Sequence, residues 1–125
     1  MIKVFTLVGV GGAIGSICRY LVAQYFQTRF AESGFPYGTM VVNITGCFVI
    51  GLIFAIGART GFLSDWRLFL VTGICGGYTT FSSFSFEAMS LLHNKGIVHF
   101  FAYVGGSVIL GLLATFIPIY IGDKL

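Results

Sequence analysis

Charge is what this sequence has least of. Lys and Arg number 7 and Asp and Glu 4 in 125 residues, so 9% of the chain is charged against 57% hydrophobic, with a mean hydropathy of +0.97. Ordinary globular chains carry about 25% charged residues. A domain this small also has too much surface for its volume to hide that much apolar area from water. The scarcity therefore excludes a water-soluble globular domain. It excludes nucleic acid as a partner as well, because a net charge of +3 is small and scattered where such a surface needs clustered Lys and Arg. No nucleophile–base pair and no metal-binding cluster is offered, so an enzyme is the least favoured class. Cysteine is sparse too. Cys18, Cys47 and Cys75 lie in separate apolar runs without C-x-x-C spacing, and they read as small core residues rather than metal ligands or disulfides.

What the chain does have is apolar length. Four stretches, Val4 to Phe26, Tyr37 to Ala58, Arg67 to Leu92 and Ile97 to Ile121, each reach the ~20 residues a spanning helix needs. Short polar connections, "QTRFAESGFP", "RTGFLSDW" and "HNKG", separate them, with Pro36 suited to a helix start and Asn94 and Gly96 to a turn. The expectation is an all-α membrane protein: one four-helix transmembrane domain over residues 1–125. The first apolar run continues through Arg19 to Phe26 without a cleavage site, so it is expected to be a span and not a signal peptide. Small residues four apart, Gly11/Gly15, Gly51/Ala55 and Ser107/Gly111, suit close helix packing in lipid. Lys3, Arg59, Arg67 and Lys124 flank one side of the membrane and Arg29 and Lys95 the other, with Arg19 toward that second end. The bias is small enough to permit insertion both ways, and hence an antiparallel homodimer.

Polar residues inside a span are functional candidates, because they are costly there. They concentrate in "GGYTTFSSFSFE", Gly76 to Glu87. Two glycines followed by Tyr-Thr-Thr make a poor helical segment, so the third helix is expected to break near Gly76–Thr80. Freed carbonyls at such a break are ready cation ligands. Beyond it, Phe81 and Phe84 share one helix face, and Ser82 and Ser85 the next. Aromatic ring edges are electropositive. Interleaved with Ser and Thr donors, they could replace the water shell of a small anion; ordinary core packing is the alternative. Asn43 is either an interhelical hydrogen-bonding group or an amide donor on a polar pathway, and Arg19 either an interfacial anchor or a functional group. Tyr103, Ser107 and Thr115 fall on one face of the fourth helix, and Glu87 is the one carboxylate well inside a span. His93 and His99 read as interfacial.

"GTMVVNITGCFVIG", "TGICGGYTTFSSFSFE" and "GGAIGSICRY" together resemble the Fluc/CrcB family of fluoride channels, and the resemblance covers essentially the whole chain. It implies a passive, fluoride-selective channel of the bacterial inner membrane, multi-pass, assembled as a dual-topology antiparallel homodimer with two pores. It also implies a structural Na+ at the dimer dyad, held by the backbone oxygens of Gly76 and Thr79. Phe81 and Phe84 would be the pore phenylalanines and Asn43 the pore amide. Ser82, Ser83, Ser85, Glu87, Tyr103 and Ser107 would complete the fluoride pathway, with Arg19 near the vestibule. Two other classes compete. A small dual-topology multidrug transporter needs a carboxylate in its first helix, where this chain has none. A structural subunit of a larger membrane complex would explain the glycines but not the Ser/Thr/Phe interleaving.

Overall fold

The structure, a computed structural model, describes residues 1–61 and 64–125. Helix α1 (Ile2–Arg29) is followed by a tight turn at Ala31–Ser33, and Pro36 precedes α2 (Tyr37–Thr60). Helix α2 stops at Gly61, whose φ of 69° lets its N–H fold back onto the Gly57 carbonyl at 2.8 Å. The third crossing is built in pieces. Helix α3 (Ser64–Arg67) runs on as a π-helical segment, Leu68–Cys75, and closes with one α turn, α4 (Gly76–Tyr78). Two extended residues follow, and then α5 (Phe81–Asn94). A turn through Gly96 leads to α6 (Ile97–Lys124).

Helices α1, α2 and α6 are each long and apolar enough to cross a membrane. The third crossing is shared between the α3–α4 arm and α5. The all-helical, four-crossing architecture read from the sequence is what the chain adopts. The ends are also as the charge pattern predicts. Lys3 pairs with Asp65 at 2.6 Å, joining the start of α1 to the start of the third crossing. At the opposite end Lys95 lies against Gly34. Few hydrophobic side chains are buried among the described residues: Val42, Cys75, Ala88, Leu91 and Tyr103. The remaining apolar surface is exposed on the single chain.

The break falls inside the expected range, but not at the glycines. Gly76 is helical (φ −63°, ψ −38°), whereas Thr79 (φ −82°, ψ 156°) and Thr80 (φ −148°, ψ 121°) are extended. The glycines are present for approach rather than for backbone freedom. A Cβ on Gly77 would stand 2.5 Å from the carbonyl oxygen of Gly12. Gly11 and Gly73 meet in the same way, a Cβ on either falling 2.9 Å from the other's Cα. Helix α1 and the third crossing therefore touch backbone to backbone, the contact that small residues allow where lipid supplies no hydrophobic drive.

The π-helical stretch was not foreshadowed by the sequence. Such geometry is usually confined to single turns, often at functional sites. Here it covers eight residues immediately before the break. The break then redirects the chain: the first arm packs on α1 and α2, whereas α5 packs on α6. Ala88 and Leu91 of α5 meet Tyr103 of α6 in a small core with Phe35, Met40, Phe84 and Phe100.

The glycine contact can be tested with one substitution made at two places. Gly105 has no atom within 4 Å of an added Cβ. Gly105→Ala should be neutral or slightly stabilising, since Ala favours a helix over Gly by about 1 kcal/mol. Gly77→Ala should instead destabilise by roughly 1–3 kcal/mol through overpacking. Thermal unfolding of the purified protein in detergent measures both, and equal melting temperatures would refute the backbone contact.

Candidate functional site

Thr79 and Thr80 leave the helical ladder in a place without water, so their polar groups need partners within the protein. Asn43, projecting from α2, supplies two. Its Nδ2 donates to the Thr80 carbonyl at 2.9 Å, and its Oδ1 accepts the Thr80 N–H at 2.8 Å. The Thr80 hydroxyl in turn caps α5 by accepting the Ser83 N–H at 3.2 Å. The Thr79 N–H and hydroxyl both donate to the Cys75 carbonyl, each at 3.0 Å. Arg19 of α1 donates from Nε to the Gly77 carbonyl at 3.1 Å. Arg19 is thus turned toward the break, ten residues short of the end of α1 at Arg29.

This pattern has a consequence for two carbonyls. In an unbroken helix the Gly76 oxygen would accept from Thr80 and the Thr79 oxygen from Ser83. Those two N–H groups go instead to Asn43 and to the Thr80 hydroxyl. The Gly76 and Thr79 oxygens are released from the ladder. Backbone carbonyls freed where a spanning helix unwinds coordinate Na+ in membrane transporters, so the donor chemistry at these two residues fits that ion. Both residues line an open groove of about 320 Å³ together with Asn43, Cys75, Thr80 and Phe81.

From that groove an aromatic line leads along α5. The rings of Phe81 and Phe84 are 5.9 Å apart, and Phe84 is 5.2 Å from Tyr103, whose side chain is fully buried. The line ends at Glu87. There the Thr39 hydroxyl donates to Oε1 at 2.8 Å, and the Tyr103 hydroxyl donates to Oε2 at the long distance of 3.5 Å. Glu87 and Thr39 lie in a second groove, about 660 Å³, that opens past Gln24, Ser90 and Asn94 toward Lys95. Three aromatic rings thus lie between the two grooves, from Phe81 in the first to Tyr103 beside Glu87 in the second.

The remaining residues singled out from the sequence divide into two groups. Ser107 has a buried hydroxyl without a hydrogen-bond partner among the described residues. Gly111 lies against Cys47 and Gly51 against Thr115, and that register puts Ser107, one turn earlier, level with Asn43. Thr115, by contrast, is committed to packing, since its hydroxyl donates to the carbonyls of Cys47 and Gly111 at 3.1 Å each. Ser82 and Ser85 are exposed on the single chain and Ser83 is half-buried. Phe81 is 78% exposed, so within one chain it is not a core residue. The sequence reading missed Thr39. Its spacing of four residues from Asn43 on α2 was the available signal, since i and i+4 share a helix face.

A family model described as CrcB-like protein, Camphor Resistance (CrcB), matches residues 6–119. A protein of Flavobacterium psychrophilum named fluoride-specific ion channel FluC is 41% identical over 124 residues, covering 98% of this chain and 99% of that one. Proteins of the same name are 40% identical in Phocaeicola vulgatus, over 97% of this chain and 99% of theirs, and 47% identical in Rhizobium meliloti, over 88% of each.

The Asn43 clamp generates a direct expectation. Asn43→Ala strands the half-buried Thr80 N–H and carbonyl, and full burial would make each cost about 1–3 kcal/mol, so the loss here is at most of that size. The melting temperature should fall, and the Thr80 amide should lose its protection in hydrogen exchange. Unchanged protection at Thr80 would show that Asn43 does not hold the break.

Proposed function

The chain belongs to the CrcB-like family, and on that footing we propose that it is a passive, fluoride-selective channel that lets fluoride leave the cytoplasm. It is a multi-pass protein of the bacterial inner membrane. The observation that carries the reading is the aromatic line Phe81–Phe84–Tyr103 between two grooves, flanked by hydroxyl and amide groups. Fluoride is small and strongly hydrated, so a selective path must replace its water at every step. Ring edges carry positive potential. The hydroxyls of Ser82, Ser83, Ser85 and Ser107 can donate hydrogen bonds, while Tyr103, whose one O–H goes to Glu87, contributes its ring. Asn43 has two amide hydrogens; one is held by Thr80 and the other is left for an anion. Glu87 accepts from Thr39 and Tyr103 and so fixes the positions of both side chains.

Export needs no energy coupling. Hydrogen fluoride enters as a neutral acid and dissociates in the less acidic cytoplasm. A negative-inside potential, worth about 2.3 kcal/mol per charge per 100 mV, then drives the anion out through any selective opening. The reading assigns the protein no catalysis. It also takes the functional unit to be an antiparallel homodimer with two pores. The near balance of flanking charge and the exposure of Phe81 and Gly76 on the single chain support that assembly. The released carbonyls of Gly76 and Thr79 would hold a structural Na+ where two copies meet, and the ion would supply positive charge that ties the two breaks together. A multidrug-type transporter is not favoured, because α1 carries no carboxylate.

Fluoride efflux from liposomes loaded with the purified protein tests the channel. Flux should run down the electrochemical gradient without a proton gradient, and concentrative uptake would sink the reading. Phe81→Ile and Phe84→Ile keep the hydrophobic character but remove the ring quadrupole. If packing were their role, each would cost under about 3 kcal/mol and leave flux intact. The expected result is a folded protein whose fluoride flux collapses in at least one of the two, and full flux in both would return these rings to the core.

The sodium proposal has its own readout. Replacing Na+ with a bulky organic cation should weaken dimerisation in detergent, measured by equilibrium association of labelled chains. Association that is indifferent to the cation would refute it.

A further inference from the structure

A third groove lies between α2 and α6 and takes no part in the ion pathway. Its volume is about 260 Å³, and its walls are apolar, among them Phe48, Leu52, Ala55, Ile117 and Pro118, with Arg59 as the charged group at its rim. Its origin is local. Gly122 meets Ala55, a Cβ there falling 3.0 Å from the Ala55 Cβ, so the two helices close tightly beneath flanking large side chains. The gap above this contact is the groove.

Its orientation follows from helix geometry. Asn43, on the break side of α2, and Leu52, in the groove, are nine residues apart, which is about two and a half turns at 3.6 residues per turn. The groove therefore faces away from the break, Phe81 and the released carbonyls. In a chain that crosses a bilayer, that outer face meets lipid.

The charge at this end decides which lipid. Arg59 is in the last turn of α2, and Lys124, in the last turn of α6, lies over the Tyr120 ring at 5.3 Å. Lys3 is neutralised by Asp65. Arg59, Arg67 and Lys124 against Asp123 leave two positive charges (3 − 1) at one membrane boundary, and among the described residues no carboxylate pairs with Arg59. An apolar slot with an unpaired Arg59 in its lining, and Lys124 on the turn of α6 beside it, is complementary to an acyl chain ending in an anion. Basic pockets between transmembrane helices are known to take anionic headgroups. We propose that the α2–α6 groove is a binding site for one acyl chain of an anionic phospholipid, with the phosphate on Arg59 and Lys124.

The site is separate from the ion pathway, so its test does not depend on conduction. The purified protein is exposed in detergent to phosphatidylglycerol or phosphatidylcholine of the same chain length, and retained lipid is counted by native mass spectrometry. The wild type should favour phosphatidylglycerol by roughly fivefold per engaged cation, the factor that corresponds to about 1 kcal/mol for each basic residue at an anionic surface. Arg59→Gln should lower that preference about fivefold, the share of one cation, and Leu52→Trp should fill the groove and lower retention of both lipids. Inorganic phosphate at the same concentration should not compete, because it has no chain to bury. Equal retention of the two lipids by the wild type, an undiminished preference in Arg59→Gln, or full competition by phosphate would each overturn the proposal. So would a Leu52→Trp protein that keeps its lipid but changes oligomeric state, since the occupant would then be a second copy of the chain. If Leu52→Trp does not fold, Arg59→Gln decides alone.

Discussion

A two-residue interruption of helix in a place without water is the constraint on which the rest of this structure depends. An extended Thr79–Thr80 removes backbone groups from their ladder, and each would cost free energy if left bare. Asn43 from α2, Arg19 from α1 and the Thr80 hydroxyl answer most of that demand. For their side chains to reach, α1 and α2 must both stand close to the third crossing. The backbone-to-backbone contacts at Gly11, Gly73 and Gly77 make that approach possible on the α1 side. The glycines and the polar residues of the spans are thus two parts of one solution.

The same interruption arranges the ion chemistry. By ending the first arm, it releases the Gly76 and Thr79 carbonyls. By starting α5 afresh, it turns Phe81 outward and carries Phe84 onto Tyr103 of another helix. An unbroken third helix would have kept its carbonyls in the ladder. It would have neither the groove at the break nor the aromatic line toward Glu87. In the proposed channel, a strongly hydrated anion would need donors and ring edges in succession, and the relay from one arm to the next would supply them.

Asn43 shows how a structural and a functional reading can share one side chain. The sequence left it as either an interhelical hydrogen-bonding group or an amide facing a pathway. Both atoms of its amide are engaged by Thr80, which is the first reading. It does so beside the break groove and level with the unpartnered Ser107 hydroxyl, which leaves its second amide hydrogen free for the proposed pathway. Thr115 shows the reverse. It had the spacing of a pathway residue, yet its hydroxyl is spent on two backbone carbonyls.

By itself the sequence determined the membrane class, the four crossings, which ends carry the cations and the span in which the helix breaks. These follow from composition and from runs of apolar residues, which are local properties of the chain. The family motif also singled out the residues around the break. Tertiary structure decided that the interruption falls at Thr79–Thr80 and that Gly76 and Gly77 stay helical, because that choice depends on what α1 and α2 offer to the freed groups. It decided that Arg19 faces the break, that Thr39 joins Glu87, and that eight residues before the break are π-helical. The partners of Arg19 and Glu87 lie on different helices and so could not be read along the chain; for Thr39 the spacing from Asn43 signalled a shared face but not the carboxylate it meets. In a bilayer, where water cannot stand in for a missing partner, such distant pairings govern where the backbone may depart from a helix.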